Sequence, residues 1–201
     1  LKLPPHAAGM FGGEVDDSVS DDLQLVRRCL AGEALALRDF VQRFQGVVFG
    51  VCLRMLGHQQ DAEDVAQETL LRAVRHLRHW DGARPLIPWV LTIAVNRCRT
   101  HLSRSKKIAR PSEVPDEAVA KPQRVDAGDL GEELQRALGT LREEYRTCFI
   151  LFHQQELSLQ EVAEILDCPV GTVKTWLHRA RKELAEWLRQ RGVVNEVGYE
   201  L

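Results

Sequence analysis

An all-α chain of two small helical domains joined by a flexible linker is what this sequence predicts, and three observations carry the prediction. Apolar residues recur at helical spacing along most of the 201 residues, with no convincing strand-like alternation. A polar stretch at 108–128 holding Pro111, Pro115 and Pro122 interrupts that periodicity. Beyond it, LSLQEVAEILDCPVGTVKTWLHRARKELAEWLRQR at 157–191 reads as a helix, a tight turn and a second helix. The expected boundaries are 21–107 for the first domain, 108–128 for the linker and 129–191 for the second domain. Residues 1–20 and 192–201 are expected as disordered tails.

In the first domain, 23–30 forms a short helix after Ser20-Asp21. A longer one over 34–56 turns Leu37, Phe40, Val41, Phe44, Val48, Val51 and Met55 inward. Gly57-His58-Gln59-Gln60 is a turn. Asp61 caps a helix running to about 77, with Glu63 and Asp64 favourable at its positive end. A loop at 78–86 contains Trp80-Asp81-Gly82, and Pro88 opens a fourth helix that continues to about 105.

The second domain opens with helices over 130–138 and 143–155, with Leu134, Leu138, Leu141, Phe149, Ile150 and Phe152 as core candidates. Ser158-Leu159-Gln160-Glu161 is a capping box, in which hydroxyl and carboxylate each satisfy an orphan N–H. That helix ends near Asp167, and Pro169 suits the entrance of the next. At about 100° per residue, Val173, Leu177, Ala180, Leu184 and Leu188 fall on one side of this last helix. Lys174, Thr175, His178, Arg179 and Lys182 fall on the other, and Trp176 sits at the edge of the apolar side. Over 170–191, Lys174, Arg179, Arg181, Lys182, Arg189 and Arg191 face only Glu183 and Glu186, so phosphate is the natural counter-charge. A solvated basic helix is the plainer reading of the wheel alone; the capped helix and short turn before it favour DNA.

Composition narrows the function. The chain is 44% hydrophobic and 28% charged, with a net charge of −2. No apolar run approaches the roughly 20 residues that span a bilayer. The opening LKLPPHAAGM lacks a secretory profile, so a soluble cytoplasmic protein without membrane insertion is expected. Cys29, Cys52, Cys98, Cys148 and Cys168 show no C-x-x-C spacing, which argues against a disulfide framework or zinc site and for buried thiols. Seven histidines without H-E-x-x-H spacing, no Gly-rich phosphate loop and no nucleophile elbow argue against an enzyme; no catalytic residue, metal or cofactor is expected. The acids gather at 14–22 and at the opening of the Asp61 helix, the bases at 97–110. Two kinds of partner follow from that separation.

On the Asp61 helix, Ala62, Val65, Ala66, Thr69, Leu70, Ala73, Val74 and Leu77 pack. Asp61, Asp64, Gln67, Glu68, Leu71, Arg72 and Arg75 face out. A leucine inside a polar rim is a pattern of protein contact surfaces, although lone exposed leucines are ordinary. On the Pro88 helix, Leu91, Ala94, Val95, Cys98 and Leu102 pack, while Trp89, Ile93, Asn96, Arg97, Thr100 and Arg104 lie opposite. Packing is the favoured role for Trp89. For Trp80, Asn96 and Arg97, stacking and backbone contacts to single-stranded nucleic acid are at least as well supported.

DAEDVAQETLLRAVRHL (61–77), PWVLTIAVNRCRTHLSR (88–104) and LREEYRTCFILFHQQELSLQEVAEILDCPVGTVKTWLHRARKEL (141–184) resemble bacterial sigma factors of the extracytoplasmic-function group, in order over about 22–191. The resemblance implies a sigma region 2 that binds the clamp helices of the polymerase β′ subunit and captures the melted −10 element. It also implies a sigma region 4 that docks on the β flap and reads the −35 element. Carried over by motif, Asp61, Asp64, Gln67, Glu68 and Leu71 would face β′. Trp80, Asp81 and Arg84, with Asn96 and Arg97 behind, would hold an extruded base. Thr172, Lys174, Thr175, Trp176, His178, Arg179 and Lys182 would enter the −35 major groove. The expected partners are core RNA polymerase and promoter DNA, and an anti-sigma protein is a further partner that the resemblance allows. Trp176 stands where relatives carry arginine, Leu86 at a usual phenylalanine position, and Ile87-Pro88 where polar residues are usual. The competing expectation is a helix-turn-helix repressor or activator that binds DNA as a homodimer without polymerase.

Overall fold

The computed structural model describes residues 14–108 and 130–192. The expected linker lies outside these, save Ile108, as do 1–13 and 193–201 of the expected tails. Among the described residues there are eight α-helices and no strand. They are α1 (Glu14–Leu30), α2 (Ala34–Leu56), α3 (Gln59–His76), α4 (Leu86–Ile108), α5 (Leu130–Thr140), α6 (Glu143–His153), α7 (Leu159–Leu166) and α8 (Val170–Gln190), with a 3-10 turn at Leu77–His79.

α1 to α4 form the first module around the inner stripe of α2. Phe40, Phe44, Val48, Val51 and Met55 are buried there, joined by Ala36 and Cys52, while Leu37 and Val41 are half-buried. The Phe40 and Phe44 rings lie 4.8 Å apart and tilted, and each such side chain contributes about 1.5–3 kcal/mol by leaving water. Ala62, Val65, Ala66, Leu70 and Ala73 of α3 and Val90, Leu91, Ala94, Val95 and Cys98 of α4 complete this core. Small residues on α3 let it approach α2 closely.

Three expectations here need correction. α1 begins at Glu14 rather than at 23, so part of the expected N-terminal tail is helical. The Ser20-Asp21-Asp22 cluster resembles a helix start, yet Asp22 is buried in mid-helix and serves the end of another helix. α3 starts at Gln59 with His58 at its N-cap, which puts Asp61 in the first turn rather than at the cap. α4 starts at Leu86, two residues before Pro88, because a proline in the first turn removes only an N–H that has no helical partner.

In the second module the capping box is present. Ser158 Oγ accepts from the Glu161 N–H at 3.2 Å, and a Glu161 carboxylate oxygen accepts from the Ser158 N–H at 2.8 Å. Asp167 ends α7 in the left-handed region (φ 51°), and Pro169 is the N-cap of α8. Val162, Ile165 and Leu166 of α7 and Val173, Leu177, Ala180 and Leu184 of α8 are buried against Leu138, Leu141, Ile150 and Leu151. Leu134, Phe149, Phe152 and Leu188 are only half-buried. A buried carboxylate, Glu133, pairs with Arg136 and, at 3.5 Å, with Arg191, whose guanidinium lies over the Trp187 ring. These contacts tie α5 to the far end of α8. Ser158→Ala should cost about 1 kcal/mol of unfolding free energy, measured by urea titration; an unchanged midpoint would show the box to be idle.

The two modules, expected to be joined by a flexible linker, are packed together. The last carbonyls of α2 run short of helical donors, although Leu53 O still accepts the Gly57 N–H at 2.8 Å. Gln135 donates to Leu53 O at 3.2 Å and Arg146 to Met55 O at 2.9 Å, both from the second module. Arg99 of α4 lies 3.5 Å from Glu143 of α6, and α7 packs on α4. Burial lowers the Arg146 pKa from its ordinary value, against the opposing charge of Glu143.

Candidate nucleic-acid interface

The outer side of α8 is arranged as its periodicity requires. Lys174, Thr175, His178, Arg179 and Lys182 are exposed, while Thr172 and Trp176 are half-buried, Trp176 packing against the core. Thr175 Oγ1 donates to Gly171 O at 3.0 Å, which uses its proton within the helix. Arg179 Nη1 donates to the Tyr145 hydroxyl at 2.9 Å, and that hydrogen bond raises the Arg179 pKa. A side chain with five donors keeps others free after such a bond, so Arg179 is steered from α6 without being withdrawn from the surface. Tyr145 was not singled out in the sequence; its signal is a hydroxyl on an otherwise apolar helical stripe, which must find a partner once buried.

Beside it, Arg181 Nε donates to His153 Nε2 at 3.2 Å, and His153 is bracketed by Phe149 and Phe152. Burial first, and Arg181 second, lower the His153 pKa below its ordinary 6.5. A histidine that folds in its neutral form gives stability that is fully present above pH 6.5 and is lost as pH falls through the depressed value. His153→Gln should flatten unfolding free energy against pH below 6.5; a curve that keeps its slope would sink this.

Asp81 and Arg84 are brought together in the loop before α4. Asp81 Oδ1 accepts from the Ala83 N–H at 3.0 Å, and Asp81 Oδ2 lies 3.3 Å from Arg84. The other partner of Arg84 is Glu164 of α7, and these two acids raise its pKa, Glu164 most. The loop and α7 enclose a cleft of about 380 Å³ lined by Trp80, Arg84, Trp89, Gln160 and Glu164. The Trp80 ring is buried at 9% exposure and walls the cleft, and its indole N–H has no protein partner among the described residues. Apolar area outweighs that one unmet donor. Trp89 is half-buried against the core, as expected. Asn96 is exposed and Arg97 mostly covered, its guanidinium 3.6 Å from Glu68. Arg97 thus links α4 to α3, and among the described residues no polar contact joins Asn96 to the loop.

On α3, Asp64, Gln67 and Leu71 are exposed and Asp61 and Glu68 half-exposed, with the packing side buried beneath. Leu71 is 58% exposed, a large apolar side chain beside the Glu68–Arg72 pair at 3.0 Å. Cys29, Cys52, Cys98 and Cys148 are buried, and burial pushes the Cys148 thiol up to about 12; Cys168, expected buried, is half-exposed. Among the described residues no group of three or more His, Cys, Asp or Glu is placed to hold a metal, and no helix is long and apolar enough to cross a membrane.

The sigma-70 region 2 family matches residues 40–108 and the sigma-70 region 4 family residues 131–184. The extracytoplasmic-function sigma factor SigW of Bacillus subtilis is 31% identical over 82% of this chain and 95% of its own length. The chain belongs to the extracytoplasmic-function sigma factors. It is also 29% identical to the RNA polymerase sigma-H factor of Pseudomonas aeruginosa, over 84% of this chain and 94% of that one. Among solved structures, the sigma factor RpoE in complex with the anti-sigma factor NepR, from Bartonella quintana, is similar with a TM-score of 0.63 and 25% identity. That likeness covers 76% of this sigma factor and 98% of RpoE. The sigma factor binds core RNA polymerase and directs promoter-specific initiation of transcription. The homodimeric repressor is not favoured.

Proposed function

We propose that this sigma factor divides its work among three surfaces. Asp61, Asp64, Gln67, Glu68 and Leu71 of α3 meet the β′ clamp helices, and the second module docks on the β flap. The loop from Trp80 to Arg84, with Asn96 and Arg97, holds an extruded base of the −10 element. Thr172, Lys174, Thr175, Trp176, His178, Arg179 and Lys182 of α8 enter the −35 major groove. The observation that carries this reading is α8: four residues of one side are buried while Lys174, His178, Arg179 and Lys182 are exposed on the other. The division 21–107 and 129–191 is supported by the region 2 match over 40–108 and the region 4 match over 131–184.

No catalysis by the chain itself is needed. Exposing a base costs a few kcal/mol and stacking returns about 1–3 kcal/mol per base, so polymerase contacts carry the balance. A net charge of −2 suits such a protein, because its acids serve polymerase and its bases serve promoter. Its place of work is the cytoplasm. An anti-sigma protein is a partner in keeping with the likeness to RpoE, solved with NepR.

Run-off transcription with purified core polymerase tests the whole reading. Transcripts should start only when the sigma factor is added and should depend on both promoter elements. A chain that ignores core polymerase yet binds duplex DNA tightly as a symmetric dimer would overturn it.

A further inference from the structure

Both ends of the loop before α4 are held by α1, a helix that precedes the stretch matched by the region 2 family. Leu86 opens α4, and the first N–H groups of a helix have no partner within it. No acid lies in the first turn of α4. The missing acceptor comes from 64 residues upstream, where Asp22 Oδ2 takes the Leu86 N–H at 2.7 Å. Asp22 is 1% exposed, and its other oxygen lies 2.6 Å from Arg43 of α2. A buried carboxylate is tolerable when it sits at the positive end of a helix and its charge is answered. The next residue, Leu23, reaches the other end of the loop. Gly82 has φ +69°, and a Cβ there would come within 2.8 Å of Leu23 Cδ2. Asp22 and Leu23 therefore grip the segment carrying Arg84 at Leu86 and at Gly82.

We infer that Asp22 and Leu23 are positioning residues for −10 recognition: they fix the loop without touching DNA, and so set which −10 sequences are accepted. This rests on the reading of the loop as the −10 contact. A buried aspartate with a structural role alone would, when changed, weaken transcription on all promoters alike. A positioning residue changes the ratio between promoters.

The test is run-off transcription by the full chain with core polymerase on two promoter panels, one with single-base changes in the −10 element and one in the −35 element. Asp22→Ala and Leu23→Ala should compress the spread across the −10 panel by about tenfold, the scale of a lost helix cap. The −35 spread and core affinity should stay unchanged. Asp22→Asn keeps an acceptor for Leu86 but loses the Arg43 pairing, so it should fall between. Equal loss across both panels, or an unchanged −10 spread, would overturn the inference. If Asp22→Ala does not fold, Asp22→Asn and Leu23→Ala decide by the same ratio. Asp81→Ala and Arg84→Ala go through the same panels: if they leave the −10 spread untouched, the loop reading itself fails. If they shift it while the α1 variants do not, only the role of α1 falls.

Discussion

Leu71→Asp should weaken binding to core polymerase by about 2 kcal/mol or more, roughly thirtyfold, with little change in folding. The side chain is 58% exposed on α3, so the fold gains almost nothing from it. Surface changes of that kind stay within about 0.5 kcal/mol of wild-type stability. In a complex the position differs. An apolar anchor ringed by Asp64, Gln67, Glu68 and Arg72 is desolvated on contact, and a carboxylate there would be buried without a partner on a face that is already acidic. Competition against wild-type chain for core polymerase, alongside urea unfolding, separates the two effects. Undiminished competition would remove this face of α3 from the contact, and a large loss of stability would show that Leu71 packs more than its exposure indicates.

What was legible in the sequence was whatever depends on neighbours within a turn or two. The capping box at Ser158, the break at Pro169 and the apolar stripes of α2, α3 and α8 are local, and they stand where periodicity put them. The misses are all long-range. Asp22 reads locally as part of a helix start, and only the fold reveals that its acceptor serves Leu86. Trp80 sits in a polar loop, and only the fold shows that its ring turns inward. Pro88 reads as a first residue, although any first-turn position suits it. The packing of the two modules was not readable at all. It depends on Gln135 and Arg146 meeting carbonyls in the last turn of α2, a match between groups more than 80 residues apart.

That packing also bears on the loop. Arg84 and Glu164 neutralise each other across the cleft between loop and α7, so the first module's loop arginine is answered by the second module's first recognition-unit helix. Both partners are exposed, and a pair of that kind contributes little and is screened by salt. The part-buried contacts at the end of α2 hold the modules more firmly, because opening would leave backbone carbonyls and the Arg146 guanidinium to be rehydrated together.

Arg179→Ala combined with Lys182→Ala should abolish most −35-dependent transcription while sparing core binding. The direction of Arg179 is set by a second helix, through the Tyr145 hydroxyl. A directed guanidinium at a base edge is worth about 1–3 kcal/mol, or about 5- to 150-fold in promoter use. Lys182 is exposed with no such steering, which suits a phosphate contact; losing it should weaken all sequences alike and reduce the salt slope of binding by about 1. Removing Arg179 also takes a partner from the hydroxyl of Tyr145, a residue 6% exposed, which costs folding as well as DNA contact. Tyr145→Phe separates the two: it frees the guanidinium without stranding a hydroxyl, and should blur −35 discrimination at near wild-type stability. Equal transcription from wild-type and double-variant protein on a −35-dependent promoter would mean that the outward face of α8 does not read DNA.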